Sequence, residues 1–184
     1  MGIIKDTITI YERLCEKDYR ITLETGSSFL LRFDKKHYHH LAGYHYLTDL
    51  VGIAAPPYGK ARFYRHLKNN KLPEAQITQS MLFPLIAERM TAFGEIEKIL
   101  SASDCKIIVA FNKNKAGSDI EAKFFLYHRN GNPLRGSVTY YSLFIGYDPL
   151  GDTYYPATYL VEHSTKYVRG QVLLNCKIEQ IPRA

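Results

Sequence analysis

Within residues 6–17 the apolar positions Ile8, Ile10, Tyr11 and Leu14 recur at helical intervals between polar residues, which predicts a short amphipathic helix. Two strand-like runs follow, 19–24 and 29–33, on either side of Thr25-Gly26-Ser27-Ser28; runs so divided predict a hairpin. Asp34 stands where a carboxylate can accept a free amide of a first helical turn, and residues 35–47 read as the helix that it caps. After a looser AAPPYG stretch, residues 61–67 read as helical and LPEAQITQS as a connector or short strand. Residues 83–100 read as the longest helix, with Leu85, Ile86, Met90, Phe93, Ile96 and Ile99 three to four residues apart; such a stripe packs on a sheet.

From residue 105 onward the pattern changes period. Residues 106–111, 122–128, 137–147, 154–162 and 172–181 are β-branched and aromatic runs divided by NKNKAGS, NGNPLRG and DPLGD, whose glycines read as turn residues, with NG a hairpin signal. Between the last two runs, residues 164–170 read as one helical turn, with Ser164 as N-cap and Gly170 as terminator. The fold class is therefore α+β: N-terminal helices packed on an antiparallel meander sheet of five or more strands. At 184 residues it is read as one domain, 1–184, with a hairpin and helical part (1–104) and a sheet part (105–184).

Composition adds a direction. The formal charge is +6, and residues 34–71 hold seven Lys or Arg against two acids, together with five of the seven histidines. Such a surface favours encounter with polyanions. Fifteen tyrosines and nine phenylalanines serve either a large sheet or base stacking. Cys15, Cys105 and Cys176 are odd in number and far apart, which fits a reducing compartment, with the latter two as small apolar residues in or beside strands. No apolar run approaches membrane-spanning length, and the first residues lack the apolar core of a signal peptide. The expectation is a soluble cytoplasmic protein, with RNA as partner and no membrane.

The chemistry concentrates in LRFDKKHYHHLAGYHYLTDL, residues 31–50, which holds four histidines and three tyrosines. On a continuous helix, at about 100° per residue, His37, His40 and Tyr44 share an arc with Leu41 and Leu47, His45 sits at its edge, and His39 faces solvent. Histidines on an arc that faces the sheet would be partly desolvated and suited to proton transfer; the other reading makes them fillers bonded to backbone carbonyls. No paired Cys or HExxH spacing supports a metal, and no cofactor is expected. Walker A, GxGxxG, CxxC and GxSxG patterns are absent, which excludes the common kinase, dinucleotide, zinc-ribbon and serine-hydrolase classes.

The string His40-Leu41-x-Gly43-x-His45-x-Leu47-x-Asp49, with the late segment Ser164-Thr165-Lys166-Tyr167-Val168-Arg169-Gly170-Gln171 before the terminal strand, resembles the phage-associated branch of the Barnase-EndoU-Colicin-RelE-like (BECR) nuclease superfamily. The resemblance implies helices followed by an antiparallel sheet, and RNA cleavage without a metal. Cleavage through the ribose 2′-hydroxyl needs a base, an acid and groups that stabilise a charged phosphorane. The candidate catalytic residues are His40 and His45 as acid and base, with Lys166 and Ser164. Candidate substrate contacts are His37, Tyr44, Arg65, Tyr167, Arg169 and Gln171. The resulting expectation is a metal-independent endoribonuclease of toxin, effector or phage type, with a protein antitoxin or host defence protein as a further partner. The alternative is a non-catalytic RNA- or protein-binding protein, such as a phage-encoded inhibitor of host defence.

Overall fold

The computed structural model describes residues 2–102, 105–109, 111–132 and 137–183. Helix α1 (Ile3–Cys15) buries Ile4, Ile8, Tyr11 and Leu14, which lie three or four residues apart on one face. Strands β1 (Lys17–Leu23) and β2 (Ser28–Arg32) form the expected hairpin, in register from Asp18 opposite Arg32 to Thr22 opposite Ser28.

The expected helix over 35–47 is broken. Only α2 (Tyr38–Leu41) is α-helical, and a single 3-10 turn occupies Tyr44–Tyr46. Between them Gly43 takes φ +86°, and a Cβ there would lie 2.8 Å from Ile86 Cγ2, so the chain can turn sharply only because the residue is glycine. Asp34 is not the cap of α2; its backbone N–H instead donates to His37 Nδ1 at 3.1 Å. The short helices α3 (Val51–Ala54), α4 (Lys60–Lys68) and α5 (Glu74–Thr78) follow, the last replacing the expected connector or strand. The expected long helix is two, α6 (Pro84–Thr91) and α7 (Glu95–Ser101). They part at Ala92, whose carbonyl accepts from the Tyr159 hydroxyl at 2.8 Å and from Glu95 N–H at 2.9 Å rather than continuing the helical ladder.

Strand β3 (Cys105–Val109) leads through α8 (Lys113–Ala116) to β4 (Phe124–Asn132), β5 (Ser137–Asp148), β6 (Thr153–Glu162) and β7 (Val172–Pro182). Helix α8 interrupts a segment read as a plain divider, capped by the Asn112 side chain accepting from Lys115 N–H at 3.1 Å. Asn130, Gly131 and Asn132, expected in a turn, belong to β4, with Gly131 opposite Val138; the rest of that expected turn lies outside the described residues. Residues 164–170 form successive turns rather than a helix, ended by Gly170 at φ +71°.

The sheet is not a simple meander. Among the described residues its seven strands run β1-β2-β6-β5-β4-β3-β7, and β7 closes the barrel by pairing with both β3 and β1. The pairs are antiparallel except β2 with β6, joined in parallel through Leu31 and Tyr154. The N-terminal hairpin therefore belongs to the same sheet as the later strands, and helices are not confined to the N-terminal side. Alternation along β4, β5 and β6 serves two cores: Leu126, Leu143, Ile145 and Tyr159 join the main core with the helices. Phe125, Phe144 and Leu160 instead pack with Phe111, Ala116 and Tyr167 under α8 and the 164–170 turn. Cys15 is a free thiol, whereas Cys176, read from the sequence as a reduced apolar residue, is disulfide-bonded. Among the described residues no helix is long and apolar enough to cross a membrane.

Candidate active site

The break at Gly43 brings His40 and His45 together. A continuous helix would hold them five residues apart on diverging sides; the left-handed glycine and the 3-10 turn set their rings 4.5 Å apart, centroid to centroid. Both line a cavity of about 770 Å³ bounded by α6, the 117–121 loop, β6 and the turn after it. Burial is the main cause that lowers both imidazoles, His40 to about 4 and His45 to about 3, and neighbouring positive groups add to it: Lys60 at His40, and His40 and Arg89 at His45. Both rings are thus neutral at pH 7. The Lys60 ammonium donates to His40 Nε2 at 2.6 Å, leaving His40 Nδ1 as the protonated nitrogen, and burial lowers the Lys60 pKa too. His45 Nδ1 is buried with no hydrogen-bond partner.

Arg89 adds a positive charge beside both histidines. It is 7% exposed, its guanidinium lies 5.2 Å from the Tyr46 ring, and Nη1 donates a long bond of 3.5 Å to the His40 carbonyl. Among the described residues it has no carboxylate in ion-pair contact, and burial lowers its pKa. Lys166 reaches the cavity over the Tyr167 ring, 5.1 Å from its centroid. Carboxylates line the same cavity: Glu88 pairs with His163 at 2.8 Å, Glu121 pairs with Lys113, and Glu162 and Asp119 are among the lining residues. The cavity is thus lined by the cations Arg89 and Lys166 as well as by carboxylates.

A second hollow of about 460 Å³ adjoins the first and shares His40 and Ala157 with it; Lys36, His37, Lys60, Tyr147 and Tyr155 contribute its other walls. His37 stacks on Tyr155 at 5.2 Å and 20°. Burial, followed by Lys36, lowers the His37 pKa to about 4. A third, shallower hollow of about 350 Å³ on α4 is lined by Arg62, Arg65, His66, Asn69 and Lys71, with Arg62 stacked 4.5 Å over Tyr58.

Of the residues singled out in the sequence, His40, His45, Lys166 and Tyr167 meet at the first cavity, His37 is next door, and Arg65 is on α4. The others stand elsewhere. Tyr44 is fully buried, its hydroxyl 3.4 Å from that of Tyr38. Ser164 is exposed and accepts from Lys166 N–H at 3.3 Å. Arg169 is exposed, and Gln171 ties off the chain through two bonds to the Asn112 backbone. His39, expected to face solvent, is fully buried; its Nε2 donates to the Ile53 carbonyl at 2.7 Å, and its ring meets Phe63 edge-on. The helical arc failed for it because the helix is a single turn. Sequence reasoning missed Arg89 and Lys60. Arg89 left a signal: it is three residues after Ile86 and four before Phe93, a charge on the stripe that faces the core. Lys60, after a Pro-Pro-Tyr-Gly turn, left none.

Among the described residues no group of three or more His, Cys, Asp or Glu side chains is arranged to hold a metal ion. Neither a curated protein nor a solved structure gave a match to the chain. A protein-family comparison matches residues 3–171, which include both histidines, Arg89, Lys60 and Lys166. The chain therefore belongs to the family described as phage-Barnase-EndoU-ColicinE5/D-RelE like nuclease 4 (PBECR4).

Proposed function

We propose that this chain is an endoribonuclease that cleaves RNA by attack of the ribose 2′-hydroxyl, with histidines as acid and base and no metal in the reaction. The observation that carries the reading is the pair His40–His45, 4.5 Å apart at a cavity that also holds the buried Arg89. Neutral His45, whose ring lines the cavity, takes the proton of the 2′-hydroxyl. The 2′-oxygen then bonds to phosphorus and the bond to the 5′-oxygen breaks. The proton that Lys60 shares with His40 Nε2 makes His40 the acid: the imidazole gains it there and releases its Nδ1 proton to the departing oxygen. Arg89 and Lys166 stabilise the phosphorane oxygens; removal of one such preorganised donor costs an enzyme about 100- to 1,000-fold in rate.

A bound phosphate has a second effect. Its charge raises the pKa of both imidazoles, so the depressed values of the free site move toward the neutral range as substrate enters. The hollow on α4, with Arg62, Arg65 and Lys71 outside any described ion pair, gives the RNA backbone a place to lie. In this reading the protein is a phage-type toxin or effector with RNA as its partner. The test is an oligoribonucleotide carrying a single 2′-deoxy sugar: cleavage everywhere except 3′ of that sugar, with 2′,3′-cyclic phosphate ends, supports the reading, and cleavage at that position overturns it. The same basic α4 face would serve a binding protein without chemistry, and RNA held intact in a salt-dependent manner is the result that favours it.

A further inference from the structure

The two cavities meet at His40, and their unshared residues differ in kind. His45 and Arg89 line only the first; Lys60, His37 and Tyr155 line only the second. If His45 accepts the 2′-hydroxyl proton, the first cavity holds the nucleotide that carries that hydroxyl. The Lys60–His40 pair then faces the departing oxygen from the second. We propose that the second hollow is the subsite for the nucleotide on the leaving side of the scissile phosphate, an inference that rests on the nuclease reading.

Its walls suit a nucleotide. The flat pair His37 on Tyr155 and the neighbouring Tyr147 give aromatic surface for a base, and Lys36 and Lys60 give cations for the next phosphate. Among the described residues neither lysine is in an ion pair with a carboxylate. Asp148, also in the wall, is held to its own turn by accepting from Leu150 N–H at 3.1 Å. Tyr155 is fixed where it stands: it crosses the sheet opposite Gly146, where a Cβ would come within 2.6 Å of its ring. Its ring also stacks on His37, so the aromatic pair is set before any ligand arrives.

The experiment compares two substrates and one ligand. An RNA oligonucleotide fills both subsites; a nucleoside 3′-(4-nitrophenyl phosphate) keeps the 2′-hydroxyl and scissile phosphate but has no leaving nucleoside; an all-2′-deoxy oligonucleotide binds without reacting. Tyr155→Ala and Lys36→Ala are expected to raise KM for the RNA about tenfold and weaken the deoxy ligand to match, with nitrophenyl ester turnover within about twofold of the parent and Tyr155→Phe parent-like. Equal losses on RNA and ester, or unchanged KM and binding in both variants, would overturn the subsite. A parent that cuts neither substrate, yet binds the deoxy oligonucleotide through Tyr155 and Lys36, fails the nuclease reading and keeps the hollow as a nucleotide site.

Discussion

Arg89 separates function from stability. It is a 7% exposed guanidinium with a long hydrogen bond of 3.5 Å to the His40 carbonyl, a side-chain hydrogen bond and ring contact with Tyr46, and no carboxylate within ion-pair distance among the described residues. Taking a charge from water without such a partner costs several kcal/mol, and the contacts Arg89 makes return only part of it. Arg89→Met keeps most of the volume and removes the charge. Setting a gain of about 3 kcal/mol in desolvation against about 1–2 kcal/mol for the two hydrogen bonds and the ring contact leaves a net stabilisation of about 1–2 kcal/mol. For a chain of this size that raises Tm by about 2–6 °C. The same change removes the phosphorane's buried cation and should cut the cleavage rate at least about 100-fold. Urea unfolding gives the first quantity, and single-turnover cleavage of an end-labelled RNA gives the second. A variant less stable by 1 kcal/mol or more, or one that cleaves like the parent, would refute the reasoning.

The remaining predictions concern pH, packing and an ion pair. Folding keeps His37, His40 and His45 neutral down to about 4, 4 and 3, against an ordinary 6.5, chiefly by burial. The unfolded chain therefore binds protons first, and stability is full above pH 6.5 and falls as pH drops toward 4. Allowing for partial exposure, each histidine contributes about 1 kcal/mol to that fall, so the urea midpoint of a His40→Ala, His45→Ala variant should drop less than the parent's between pH 7 and 5. Gly43→Ala forces a Cβ against Ile86 at a φ of +86° and should cost about 3 kcal/mol by chemical denaturation. Asp18 is paired with Arg32 at 3.0 Å and with Arg183; burial opposes ionisation, but the two guanidiniums outweigh it and hold the carboxyl below its usual range. Stability from Asp18 is present above the ordinary carboxyl range and lost as pH falls through its lowered value, and Asp18→Asn should cost about 1–2 kcal/mol at pH 7 and little at pH 2.

The period of the hydrophobic pattern carried the element types well, because each strand and helix had enough residues to show its phase. What it could not carry was the single-residue break. Gly43 and Ala92 divide continuous apolar stripes through contacts made by Ile86 and Tyr159, which are distant in the chain. The break at Gly43 left His39 on a single helical turn, where it is buried rather than exposed, and brought His40 and His45 closer than a regular helix would. The closing of β7 onto β1 and β3 was equally unreadable, since local sequence does not choose strand partners. Arg89 was legible as a charge in a core stripe; Lys60 depended wholly on where the preceding turn leads.

The central claim is that the two histidines cut RNA. The most direct measurement is incubation of the purified chain with total RNA in EDTA, beside the folded His40→Ala, His45→Ala variant, with products resolved by gel and their ends mapped. The account predicts cleavage by the parent and a loss of about 1,000-fold or more in the variant. RNA left intact by the parent, or cut equally by both proteins, would contradict it.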